Sequence, residues 1–142
     1  MPVVDASVVV DWVAPDVDAG APAISALGRL AAADAELLAP RLLREEVSNA
    51  LLTGVRRGRW SGAAADLAHA LLRELPVRLV DEPRDLWRAW DLARRYDNHP
   101  IYDLVYVALA ERRRTQLLTA DAALRERLVG IDWLIAPEDL VA

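Results

Sequence analysis

The chain opens on a short β-branched run, residues 2–5, that ends in an acid and reads as a first strand. Residues 7–12 turn into a short helix, and residues 16–20 form a loop. Ile24, Leu27 and Leu30 repeat at helical spacing and predict a helix over 22–33. Residues 36–39 predict a second strand, stopped by Pro40. A long helix follows over 41–57, with Leu42, Leu43, Val47, Ala50 and Leu51 on one broad stripe and Gly58 near its end. Ser61 stands where an N-cap belongs, ahead of a helix that carries Leu67, Leu71 and Leu72 and ends at Pro76. Val77–Val80 predicts a third strand, and 85–95 a helix turning Leu86, Trp90 and Ala93 inward. Pro100 opens a helix to about Arg113, in the first turn where proline is tolerated. Residues 116–119 predict a fourth strand, 121–128 a helix and 132–135 a fifth strand, with Pro137 opening a short tail. This alternation predicts an α/β fold with a parallel sheet covered by helices on both faces. No repeat, low-complexity stretch or linker interrupts it, so residues 1–142 read as one domain.

Composition narrows the chemistry. A 54% hydrophobic and 27% charged chain has the balance of a globular protein with a true core. Its apolar runs are too short to span a membrane, and its N-terminus lacks a basic stretch followed by an apolar segment. Cytoplasm is therefore the expected compartment. The lack of cysteine excludes disulfides, thiolate zinc sites and a cysteine nucleophile. Every Lys-or-Arg position is arginine, which removes any reaction needing a catalytic lysine. The net charge of −5 counts against a general nucleic-acid coat protein unless the acids are gathered around a cation.

Four carboxylates stand out by position. Glu46 falls within the inward stripe of its helix, where an ionised side chain is costly unless paired or metal-bound. Its structural alternative is a place at the stripe's edge with the carboxylate reaching water. Asp103 shares a helix side with Tyr106, Val107 and Ala110; its alternative is a first-turn acid favoured by the helix dipole. Asp5 ends the first strand, with an ordinary turn acid as its alternative. Asp121 follows the fourth strand, with a helix N-cap as its alternative. Sites in parallel α/β sheets form beyond the carboxyl ends of strands where strand order reverses. If the first and fourth strands are neighbours, Asp5 and Asp121 meet there, and Glu46 and Asp103 can reach them. Converging carboxylates repel and require a cation, and hard oxygen ligands select Mg²⁺ or Mn²⁺.

Four segments then resemble the PIN-domain family, most closely the toxin halves of VapBC-type toxin–antitoxin pairs. They are Val3-Val4-Asp5-Ala6-Ser7, Glu46-Val47-Ser48-Asn49-Ala50-Leu51, the run from Tyr102-Asp103 to Ala110-Glu111, and Leu118-Thr119-Ala120-Asp121. They occur in family order with family-like spacing. The resemblance implies a five-stranded parallel sheet in a three-layer sandwich and Mg²⁺-dependent endoribonuclease activity. It also implies homodimers and inhibition by a cognate antitoxin protein. Asp5, Glu46, Asp103 and Asp121 match the family's acidic quartet, Ser7 and Thr119 the hydroxyl residues beside it, and Asn49 is a supporting candidate. The sequence departs from the family where Ala122, Ala123 and Leu124 follow Asp121 without the further acid often found there. One-metal and two-metal chemistry both stay open.

On this reading Asp5, Asp103 and Asp121 hold the metal, Glu46 holds a second ion or takes the proton of water, and arginines place the RNA backbone. Arg44, Arg56, Arg57, Arg59 and the run Arg112-Arg113-Arg114 are the candidates, with Trp12 and Trp60 as bases' stacking partners or core residues. Receiver-domain and haloacid-dehalogenase readings fail for want of lysine, and dinucleotide and P-loop readings for want of a glycine-rich turn. The surviving rival is a catalytically silent PIN-like scaffold that binds RNA or protein.

Overall fold

The computed structural model describes residues 1–140. The strands are β1 (Val3–Val4), β2 (Leu37–Pro40), β3 (Val77–Val80), β4 (Leu117–Leu118) and β5 (Leu134–Ile135). The helices are α1 (Ala6–Val13), α2 (Pro22–Ala32), α3 (Leu43–Arg56), α4 (Gly62–Glu74), α5 (Pro83–Arg95), α6 (Ile101–Arg113) and α7 (Ala122–Arg127). A 3₁₀ turn at Pro137–Asp139 follows β5.

All strand pairings are parallel, in the order β3-β2-β1-β4-β5. Val3 pairs with Leu38 on one side and Leu117 on the other. The chain therefore winds outward from β1 to β3, then crosses back to β4. Right-handed crossovers put α1–α4 on one face and α5–α6 on the other. In agreement, α1 packs on α2, α3 and α4, while α6 lies against β1, β2 and β4 with α5 behind it. The point where strand order reverses lies between β1 and β4, as the candidate site requires.

The core explains several local choices. Val3, Val4, Leu38, Leu117 and Leu118 are buried because helices cover both faces of the sheet. α3 ends in a Schellman motif: Gly58 adopts φ +71° and donates to Val55 O, and Arg59 N donates to Gly54 O. Gly54 sits inside that helix because the Trp60 ring occupies the space beside it; a Cβ there would lie 2.2 Å from the indole. Ser61 caps α4 by accepting from Ala64 N at 3.1 Å.

Two faces differ from the sequence expectation. Leu67 and Leu71 of α4 are exposed, and only Leu72 of the three leucines packs against the core. In α5, Leu86 and Trp90 point outward with Trp87, and the inward face is Asp85, Ala89, Leu92 and Ala93. Small alanines let α5 approach α6 closely, and Asp85 is tolerated inside because Arg112 of α6 grips it at 2.7 and 3.0 Å. Apolar periodicity places Ala93 correctly but also selects Leu86 and Trp90, since it counts their apolar surface and cannot see the ion pair.

Candidate active site

β1 and β4 end side by side. Asp5 N donates to Leu118 O at 2.9 Å, so Asp5 lies just past β1 and Thr119 just past β4. Asp5 is the residue before α1, yet its side chain does not cap that helix. Its Oδ2 accepts instead from Thr119 Oγ1 at 2.8 Å and Ser7 Oγ at 3.0 Å. Both hydroxyls are oriented by the backbone. Ser7 Oγ accepts from Ala120 N at 3.0 Å, and Thr119 Oγ1 accepts from Asp121 N at 3.1 Å. Each hydroxyl thus has its single proton free for Asp5, and the 3.4 Å Ser7–Thr119 contact need not use it.

Asp5 is buried at 5% exposure, and burial is the main reason its pKa rises to about 6. The nearby Asp103 carboxylate pushes it further up; the two hydroxyls oppose the rise. Glu46, half-buried on α3, is raised in the same way, first by desolvation and then by Asp5 and Asp103. Tyr106, fully buried on α6, donates its hydroxyl to Glu46 Oε1 at 2.7 Å and counters part of that rise. The phenol itself is pushed far up by burial and by the surrounding acids, so it stays a donor. Asp103, in the first turn of α6, accepts from His99 Nε2 at 2.8 Å. A carboxylate only accepts, so the buried His99 carries its proton on Nε2.

The structure therefore brings Asp5, Glu46 and Asp103 within mutual electrostatic reach at one end of the sheet. Asp121 is adjacent through its backbone, but its Oδ1 caps α7 by accepting from Leu124 N at 3.0 Å. That is the structural alternative for this residue. None of the four acids pairs with an arginine within 4.0 Å among the described residues.

The donor set suits a hard divalent cation in kind, because every acid offers oxygen and two of them bear the cost of uncompensated burial. Among the described residues, however, no three acids are already drawn to one coordination point. Asp103 is turned to His99 and Asp121 to its helix.

Other sequence candidates lie elsewhere. Asn49 is exposed, and its carbonyl, not its amide, takes a side-chain bond, from Thr53. The run Arg112–Arg114 sits at the far end of α6 from Asp103, about 14 Å along the axis. There Arg112 holds Asp85 and Arg113 lies against Met1. Arg59 pairs with Asp16 and Arg56 with the Thr53 hydroxyl. Trp12 and Trp60 are buried, their indole N–H groups donating to Ala23 O and Leu51 O, so neither is free to stack on a base. Tyr106 and His99 are the partners that sequence reasoning did not assign. The signals were available: a tyrosine on an apolar helix needs a partner for its hydroxyl, and His99 precedes Asp103 by four positions.

The PIN domain family model matches residues 3–127. The chain belongs to the PIN-domain family, whose members are generally nucleases that bind RNA and use divalent metals. No curated protein matches the chain. Among the described residues no helix is long and apolar enough to cross a membrane.

Proposed function

We propose that this PIN domain is a divalent-metal-dependent endoribonuclease and the toxin of a VapBC-type pair. The observation that carries this reading is Asp5: a buried carboxylate at the strand-order switch, faced by Glu46 and Asp103 and given hydroxyls instead of a cation. An acid held that way costs stability unless something positive arrives.

Asp5 and Asp103 would hold the ion, Asp121 would join them on leaving its capping position, and Glu46 would hold a second ion or accept the proton of water. Bound Mg²⁺ or Mn²⁺ would supply Lewis-acid activation of water and charge compensation for the phosphodiester. The chain's own groups do the rest. Ser7 and Thr119 fix the Asp5 carboxylate through Oδ2. Tyr106 occupies Glu46 Oε1, which leaves Oε2 to take the proton of the attacking water. His99 sets the orientation of Asp103. Homodimerisation, a cytoplasmic location, a single domain over residues 1–142 and inhibition by an antitoxin helix complete the proposal. An antitoxin that neutralises the site is expected to offer an arginine or lysine to these acids.

The silent-scaffold reading has two observations in its favour: the capping role of Asp121 and the absence, among the described residues, of a closed ligand group. One assay separates the two. RNA is incubated with protein in Mn²⁺, with protein in EDTA, and with the Asp5→Asn variant in Mn²⁺. The nuclease reading expects cleavage only in the first tube. Equal cleavage in all three rejects the metal mechanism, and cleavage in none favours the scaffold.

A further inference from the structure

Seven ion pairs among the described residues account for Arg41, Arg59, Arg78, Arg84, Arg88 and Arg112, each held by a carboxylate, together with His99. Two of the arginines outside that set, Arg95 at the end of α5 and Arg127 at the end of α7, meet across one cavity. It has a volume of about 470 Å³ and is walled by Arg95, Tyr96, Asp97, Asn98, His99, Pro100 and Arg127. Its volume lies in the range of small-ligand pockets.

The turn from α5 to α6 shapes this cavity. Asp97 and Asn98 both take left-handed backbone conformations at φ 58°, which folds the chain sharply before Pro100. Asn98 is anchored by Arg94 at 2.6 Å, a neutral partner that leaves the guanidinium charge uncancelled. Tyr96 reaches toward Val129 O at 3.5 Å, tying the turn to the chain beyond α7. Asp97 is the one acid in the wall, set against Arg95 and Arg127. Arg95 also acts at a distance on Glu111, which Arg88 already holds. The local balance is positive in a chain whose net charge is −5.

The cavity also adjoins the acids. His99 forms part of its wall and contacts Asp103 Oδ2 at 2.8 Å. Two residues before Arg127 on α7, Arg125 donates to Thr119 O, while the Thr119 hydroxyl donates to Asp5. A basic cavity one side chain from an acidic centre is the arrangement a polyanion needs, with one phosphate at the acids and its neighbours on guanidiniums.

We infer that the cavity between the α5–α6 turn and α7 is a subsite for the phosphate backbone of single-stranded RNA, with Arg127 and Arg95 as its principal contacts. The choice of RNA rests on the nuclease reading above; the basic character of the cavity does not.

The test measures anisotropy of a labelled single-stranded oligoribonucleotide with the full chain in EDTA, where metal-dependent cleavage is off. Arg127→Gln, Arg95→Gln and the double variant are compared with Arg73→Gln on α4. Both targets are exposed, so the fold is retained. Each single change should weaken binding about 3–10-fold and make the salt dependence shallower by roughly one ion for each arginine replaced. Arg73→Gln should leave binding unchanged. In Mn²⁺ the double variant should raise KM and leave kcat nearly constant, the mark of weakened uniform binding. Wild-type affinity in the double variant, or an equal loss in Arg73→Gln, overturns the subsite. So does an acidic peptide that binds through the same arginines as tightly as RNA. Abolished binding in the double variant without Mn²⁺-dependent cleavage by the wild type would keep the subsite and reject the nuclease. Cleavage that needs Mn²⁺ and Asp5, with affinity untouched in the double variant, would do the reverse.

Discussion

Two aspartates are buried to nearly the same degree, Asp5 at 5% and Asp85 at 6% exposure, and the protein treats them in opposite ways. Asp85 lies between α5 and α6 with its own cation, the Arg112 fork, bonded through both oxygens. Asp5 lies where β1 and β4 end, with two hydroxyls and two further acids as neighbours. The first is a finished structural element, neutral as a pair. The second is an open charge that the fold supports without compensating. An acid kept inside for packing brings its counter-ion from the chain; an acid kept inside for function leaves that place to something the chain does not encode.

The largest expected effect separates activity from stability. Asp5→Asn should reduce RNA cleavage on the order of 10³-fold while leaving the metal-free protein at least as stable at neutral pH. Single-turnover cleavage and urea denaturation of one preparation report both. A variant that unfolds instead would place Asp5 in the same category as Asp85. The complementary change is Arg112→Ala, which strands Asp85 inside and should cost about 3 kcal/mol in urea unfolding. If Arg112→Ala is as mild as a surface change, the contrast between the two acids collapses.

pH sharpens the comparison. Asp5 has a folded pKa of about 6 against an ordinary value of 3.8, so it binds a proton more tightly when folded. Its contribution to stability is full below about 4 and is lost as pH rises through about 6. Glu46 moves in the same direction. Metal-free protein should therefore lose stability between about pH 4 and about pH 7, and Asp5→Asn should flatten that slope. An unchanged slope in the variant contradicts the placement of the effect at Asp5. The smallest effect is expected from Tyr106→Phe, which removes one hydrogen bond to Glu46. Cleavage should fall roughly tenfold through kcat, with little change in KM. A fall confined to thermal stability would make Tyr106 a packing residue only.

Much of this was legible in the residues. β3 begins and ends where the run Val77–Val80 between Pro76 and Asp81 does, and Ser61 caps the helix that its position announces. The parallel sheet followed from alternation, and the neighbouring of β1 and β4 made the gathering of Asp5, Glu46 and Asp103 intelligible. What escaped was pairing across elements. Nothing local tells Arg112 that it belongs to Asp85, so the sequence alone leaves the arginine run available for RNA and turns Leu86 and Trp90 of α5 to the core. The Tyr106 bond to Glu46 escapes for a related reason, since a hydrogen bond across 60 positions leaves no periodicity, whereas the spacing of four between His99 and Asp103 is visible in the sequence. Asp121 shows the limit from the other side: its position suits both a ligand and a helix cap, and the cap is the bond observed.

The most direct test is a thermal shift in Mn²⁺. If the Asp5 end of the sheet is built for a cation, millimolar Mn²⁺ should raise the melting temperature of the wild type by several degrees through ligand linkage and leave Asp5→Asn unmoved. A wild type indifferent to Mn²⁺, or a variant that responds equally, would contradict the claim.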